Sequence, residues 1–313
     1  FPKYFHQKEI RDKFVNNFIP FNSVPYRNVY LCDEGYGMVK YKSDRFGFRN
    51  NDENWNNLNY KFKIMIVGDS FAQGQCVKNE FYINTILKKK FNNQVNIYNL
   101  GSAGNGTAIN SSIMSNFTDM INPNIILVIL FSNDQKDKIS NPFFAQSHKK
   151  LDKYFISRND KPFLSDEVLK TLLETEEFII ESNKKNKSFS NFSFIEKLKK
   201  YLVLEHTKNK LIELYNLFFF KLPNSTKYFI DLANKKCHKD CKLIFTYIPP
   251  SEYWSREPFS KKYEKEIKDY LENLRLEYLD LSEIIDSSDL SNYAPMGPHL
   301  SNKGYEKISN AVY

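Results

Sequence analysis

The sequence predicts an α/β fold, a three-layer α/β/α sandwich built on a mostly parallel five-stranded sheet. Three observations lead there. Short β-rich runs recur at 62–67, 95–100, 124–131, 242–248 and 276–280. Between the first three lie amphipathic stretches at 79–91 and 106–121, of the length a parallel crossover requires. Glycine is concentrated at Gly35, Gly37, Gly47, Gly68, Gly74, Gly101, Gly104 and Gly106, then at Gly297 and Gly304, with none between. Because glycine allows positive φ and close backbone approach, its two clusters mark sharp bends and loops that admit a ligand.

Residues 1–60 lack strong periodicity and read as an N-terminal extension packed on a core domain spanning 61–313. The first strand, with Ile64, Met65, Ile66 and Val67, runs directly into Gly68, Asp69, Ser70 and Phe71. That order sets a serine hydroxyl on the turn at the carboxyl end of a strand, where open α/β sheets bind ligands. After the second strand, Asn99, Leu100, Gly101, Ser102, Ala103, Gly104 and Asn105 form a small-residue loop whose backbone N–H groups can face a ligand. The third strand ends in Phe131, Ser132, Asn133 and Asp134.

The alternation then breaks. Residues 140–235 are rich in Lys, Glu, Leu and Phe, with helical spacing at Leu169, Leu172, Leu173 and Phe178 and again at Leu211, Leu214 and Leu217. They read as a helical insertion, with Phe218, Phe219 and Phe220 as packing residues. The fourth strand stops at Pro249 and Pro250, and Tyr253 and Trp254 follow as a pair able to stack on a sugar ring or to pack internally. Near the end, Gly297, Pro298, His299, Leu300, Ser301 and Asn302 set a histidine just before a helix that Ser301 or Asn302 would cap. His6, His148, His206 and His238 stand in no comparable context.

Composition bounds the rest. At 313 residues and 41% hydrophobic, the chain can bury a full core. Its longest apolar stretch, Ile125 to Phe131, is far short of the roughly 18 residues of a membrane helix. The net charge of +8 comes from 45 basic and 37 acidic residues, with lysine dominant and arginine scarce. Runs such as Lys88, Lys89 and Lys90, or Lys184, Lys185 and Lys187, read as solvated faces. The pattern argues against a nucleic-acid partner, though an anionic polysaccharide would suit it.

Four cysteines leave two pairings open to inspection. A Cys32–Cys76 bridge would pin the N-terminal segment beside the serine turn, and Cys237 and Cys241 could close a small loop; free thiols are the alternative. Zinc at Cys237, His238 and Cys241 fits poorly, since three close residues cannot supply four ligands. No metal and no cofactor is expected. The chain opens on Phe1 without a methionine and ends at Tyr313 inside a helical pattern, so it reads as trimmed or processed, with room for a signal or anchor upstream.

Taken together, the serine, glycine, asparagine and histidine segments resemble the blocks of the SGNH, or GDSL-type, serine esterase family. Ser70 matches the serine block, Gly101 the glycine block, Asn133 the asparagine block and His299 the histidine block, in the family's order over about 62–313. Tyr41, Lys42, Ser43, Asp44, Arg45, Phe46, Gly47 and Phe48 resemble the lead-in of exported, cell-surface members. The resemblance implies a flavodoxin-like sandwich and a periplasmic or extracytoplasmic setting. It also implies Ser70 as nucleophile, His299 as base and then acid, and an oxyanion hole formed by the N–H groups of Ser70 and Gly101 with the Asn133 amide. Asp69 and Asp134 are supporting candidates, and Asn105, Tyr253 and Trp254 candidate substrate contacts.

One departure stands out. The family usually carries an aspartate three residues before its histidine, and that position is Met296. A backbone carbonyl near Met296 could orient the imidazole instead, giving a dyad; Asp280 and Asp134 are weaker substitutes. The expected function is removal of acetyl or other small acyl groups from an acylated carbohydrate or small ester. A transferase version would pass the acyl group to a surface polysaccharide, with a membrane-bound acyl-transfer partner. A binding or assembly module that has lost efficient catalysis is the third expectation, and Met296 is its motivation.

Overall fold

The computed structural model describes residues 22–23, 25–56, 60–136, 220–254 and 260–313. Five parallel strands, β3 (Lys63–Gly68), β4 (Asn96–Asn99), β5 (Ile125–Leu130), β6 (Lys242–Tyr247) and β7 (Glu277–Leu279), form one sheet in the order β4-β3-β5-β6-β7. The register sets Ile64 beside Ile125 and Ile125 beside Lys242, so the carboxyl ends align along one edge. This is the doubly wound order in which a crevice opens where the winding direction reverses, between β3 and β5.

Alternation along the strands decides what each face meets. Met65, Val67, Ile126, Val128 and Phe245 point toward α3 (Thr107–Ile121), α4 (Asn224–Lys236) and α5 (Ser260–Asn273), which contribute Ile113, Phe117, Phe229, Tyr263 and Ile267 to one buried cluster. Ile64, Ile66, Leu127, Ile129 and Ile244 point the other way, toward α1 (Ser70–Gln73), α2 (Ile83–Lys90) and α6 (Asn302–Val312) with Phe71, Leu87, Tyr305 and Ile308. Because both faces are covered, the central strands β3 and β5 are near-continuous apolar runs, whereas the edge strands β4 and β7 carry Asn96, Asn99 and Glu277. Residues 140–219 of the expected insertion lie outside the described residues, while α4 packs against α3.

The segment before the sheet is more ordered than its lack of periodicity suggests. β1 (Asn28–Tyr30) and β2 (Lys40–Lys42) form an antiparallel hairpin whose long loop spans 31–39. Its inward side chains, Leu31, Val39 and Tyr41, form a small cluster of their own. Beyond β2, the chain clasps the exposed edge of β4 with amide side chains in place of a sixth strand. Asn50 donates to Asn99 O at 3.0 Å and accepts from Asn99 N–H at 3.0 Å, and Asn54 donates to Ile97 O at 3.1 Å. An open edge would otherwise invite pairing with another chain.

Candidate active site

Ser70 opens α1 immediately after β3 and is buried. The turn is fixed by Asp69, whose carboxylate caps the helix by accepting from Phe71 N–H at 2.9 Å. Asp69 is fully buried, and burial pushes its carboxyl above the usual range; hydrogen bonds from Phe71 and from the Asn133 side chain oppose that shift. Asp69 therefore ties the serine turn to the 3-10 turn Ser132–Lys136 after β5, on which Asn133 is exposed.

His299 reaches the same point from the loop before α6. Ser301 caps that helix, accepting from Gly304 N–H at 3.0 Å, which fixes the chain two residues beyond the histidine. His299 Nε2 lies 3.0 Å from Ser70 Oγ. The serine oxygen is 3.5 Å from Asp69 Oδ2, too long to compete for its proton.

The other ring nitrogen corrects the expectation of a dyad. His299 Nδ1 lies 2.7 Å from Glu34 Oε1, and the His299 backbone N–H donates to Glu34 Oε2 at 3.2 Å. Neither a carbonyl at Met296 nor Asp134 nor Asp280 takes that position. Met296 is exposed, and its N–H donates to Glu34 O at 3.0 Å. Asp134 closes its own turn, accepting from Phe131 N–H at 2.9 Å, and Asp280 pairs with Lys268 at 2.7 Å. With a carboxylate on Nδ1, the proton belongs there and the Nε2 lone pair faces the serine hydroxyl.

Glu34 sits in the hairpin loop between β1 and β2, whose turn Asp33 closes by accepting from Gly35 and Gly37 N–H at 3.0 Å. The Cys32–Cys76 disulfide, with Cα atoms 5.2 Å apart, fastens the loop just past the serine turn. Gly297 makes the fit possible, because a Cβ there would overlap the Glu34 side chain. Sequence reasoning missed Glu34. Its one signal was the cysteine pairing that would bring residues 32–34 to the site. Cys237 and Cys241 form the second disulfide.

The remaining candidates are distributed along the same sheet edge. Gly101 packs so closely on α1 that a Cβ would collide with Ala72, and its N–H donates to Asn99 Oδ1 at 2.9 Å. Asn105 is buried in the loop after β4. Tyr253 and Trp254, past the end of β6, are exposed and meet edge to face with ring centroids 4.8 Å apart. Ser251 Oγ holds their turn by accepting from both backbone N–H groups.

No protein-family model matches the chain, and no curated protein sequence does. Among solved structures, the chain is similar to a family 3 carbohydrate esterase from Clostridium thermocellum at 15% identity, covering 80% of this chain and 93% of that one with a TM-score of 0.44. It is also similar to a lipase/acylhydrolase from Enterococcus faecalis at 13% identity, covering 80% and 93% with a TM-score of 0.43. A third is the psychrotrophic esterase EstA from a Pseudoalteromonas species, at 13% identity, 80% and 94% coverage and a TM-score of 0.41.

Proposed function

We propose that this protein is a serine esterase of the SGNH type that removes acetyl or other small acyl groups from a glycan or similar ester. The observation that carries the reading is the imidazole of His299 held between Ser70 and Glu34, one ring nitrogen for each, at 3.0 and 2.7 Å. A serine hydroxyl is a weak nucleophile until a positioned base takes its proton. Nε2 takes that proton as Oγ attacks the ester carbonyl, and Glu34 stabilises the imidazolium that results.

The tetrahedral oxyanion is met by the Ser70 N–H and the Asn133 amide; the Gly101 N–H, expected to join them, is instead held by Asn99 Oδ1 at 2.9 Å. Collapse expels the alcohol, which takes the proton back from Nε2, and leaves an acyl group on Ser70. Water, deprotonated by the same nitrogen, then releases the acid. A sugar hydroxyl in the place of water would give transfer by the same steps. Glu34 supplies the carboxylate that Met296 lacks, which weighs against a module that has lost catalysis. The exposed Tyr253 and Trp254 on the working edge favour a carbohydrate, and the two disulfides favour an oxidising, extracytoplasmic setting.

The direct test is hydrolysis of p-nitrophenyl acetate together with labelling by a fluorophosphonate. Wild type turns over and labels at Ser70, and Ser70→Ala loses both. Turnover that survives Ser70→Ala, or no labelling of wild type, sinks the reading.

A further inference from the structure

The residues around Nδ1 of His299 are a second kind of site in waiting. Cys32, Glu34, Cys76 and His299 bring two sulfurs, a carboxylate oxygen and an imidazole nitrogen within 4.8 Å of one another. In the disulfide the sulfurs are spent on each other. As thiolates they would complete a four-donor set of the composition zinc takes, two sulfurs, one nitrogen and one oxygen. We propose that the dithiol form of this protein binds zinc through Cys32, Cys76, Glu34 and His299, and that the ion switches the Ser70 site off.

The geometry suits a tetrahedral ion. Bonds of about 2.0–2.3 Å place ligand atoms about 3.3–3.8 Å apart. Cys76 Sγ already lies 3.8 Å from His299 Nδ1. Glu34 Oε1, at 2.7 Å from the same nitrogen, has only to move outward. The cysteine Cα atoms, 5.2 Å apart, leave the freed sulfurs room to separate by side-chain rotation. Cys76 and Glu34 are buried while Cys32 is partly exposed, so one sulfur is open to attack and the others line a sheltered position.

A dithiol is the reductant. Its thiolate attacks Cys32 Sγ, the Cys32–Cys76 bond breaks, and Cys76 leaves as a thiolate. The second thiol of the reagent then displaces Cys32 and closes a cyclic disulfide. Two electrons pass from the dithiol to the bridge, and its two protons end on the cysteines. Zinc binding expels those two protons into water.

Occupancy and catalysis exclude each other at one atom. The catalytic tautomer carries its proton on Nδ1 and offers the Nε2 lone pair to Ser70. Zinc takes the Nδ1 lone pair, so the neutral ring must carry its proton on Nε2, where it can no longer accept one from the serine. Glu34 is drawn away from its role at the same time. The ion site stands on the cluster alone, whereas the switch rests on the esterase reading.

The experiment uses a Cys237→Ser/Cys241→Ser background to remove the other cysteine pair. The protein is reduced with dithiothreitol, desalted without oxygen, incubated with zinc sulfate and desalted again. Elemental analysis should find a single zinc retained per chain, none in the oxidised protein, and none after Cys76→Ser. Fluorophosphonate labelling of the zinc-loaded form should fall about 10³-fold or more below that of the reduced, zinc-free protein, as when a triad member is disabled, and return on chelation without reoxidation. Reduced protein that keeps no zinc, retention that survives Cys76→Ser, or labelling indifferent to the ion overturns the proposal. Oxidised, metal-free protein that fails to label would instead sink the esterase reading and leave the zinc measurement standing.

Discussion

The sheet body and the N-terminal hairpin deliver parts of the same constellation by opposite means. Ser70, Asn133 and His299 come from the carboxyl edge of a body with buried apolar side chains on both faces of its strands. Glu34 comes from a loop whose hairpin owns a cluster of only Leu31, Val39 and Tyr41 with Val29 against it. Apolar burial, at about 25 cal/mol per Å², holds the body in register collectively. The hairpin adds named ties to the packing of Tyr36 on the body: the Cys32–Cys76 bridge, the Gln73 amide on Tyr41 OH, the Met296 N–H on Glu34 O, and the His299 N–H on Glu34 Oε2. Placement to a fraction of an ångström thus needs no large core where a few short bonds converge on one side chain. The consequence is that single substitutions should separate the two regions.

Replacing the hairpin's carboxylate should have the largest effect. Glu34→Gln keeps the size of the side chain but can present an amide N–H to Nδ1, favouring the wrong tautomer; by analogy with a protease triad, kcat/KM should fall about 10⁴-fold. Glu34→Asp should restore part of that activity in steady-state assays. A loss under about tenfold would make the hairpin a cover rather than a catalytic arm. On the body side, Asn133→Ala removes one oxyanion donor and should cost about 10²–10³ in kcat, with a fall in melting temperature because buried Asp69 loses the same donor. If Asn133→Ala costs more than Glu34→Gln, the weight of catalysis lies in the body and the comparison is reversed.

The same contrast explains what the sequence revealed. Strands β3 to β7 were legible to within about two residues: the central β3 and β5 as continuous apolar runs, the shorter β4 and β7 as β-rich segments between amphipathic stretches and turn residues. Ser70 and His299, which meet in the structure, each stand in a local pattern of turn residues next to a strand or a helix cap. Glu34 stands in no such pattern. It lies 265 residues from the histidine it meets, in a hairpin of three-residue strands too short to show alternation. Asp44 was hidden for a similar reason: it appeared within the lead-in resemblance, yet its partners Phe46, Phe48, Asn50 and Trp55 are gathered by the fold of that segment.

Gly297 probes the seam between the regions. It belongs to the body's histidine loop, but the space its missing side chain leaves is filled by Glu34. Gly297→Ala should push the carboxylate off His299 while leaving both cores intact, and displacement of a catalytic group by about 1 Å can cost about 10²-fold in rate. Steady-state kinetics beside thermal melts would read this as lost kcat/KM with little change in stability. Lost stability with kcat/KM retained would show instead that the hairpin yields and carries Glu34 with it.

The smallest effect concerns the joint at Asp44, just past the hairpin. Its carboxylate accepts from Phe46 N–H at 2.9 Å, Phe48 N–H at 2.8 Å, Asn50 at 3.0 Å and Trp55 at 2.8 Å. Burial pushes it up to about 6 from 3.8, against those four donors, all of which favour the ionised form. Between pH about 4 and about 6 the folded chain then holds a proton that the unfolded chain has lost, so stability falls as pH rises through that window by up to about 1.4 kcal/mol per unit. Urea unfolding of wild type and Asp44→Asn at several pH values isolates the group, since the amide does not titrate. The stability of wild type relative to the variant should decline by about 1.5 kcal/mol from pH about 4.5 to about 6 and level off by about pH 7. A difference independent of pH would mean that the four donors keep Asp44 ionised throughout, and that charge-assisted bonds fasten the hairpin to the body even in acid.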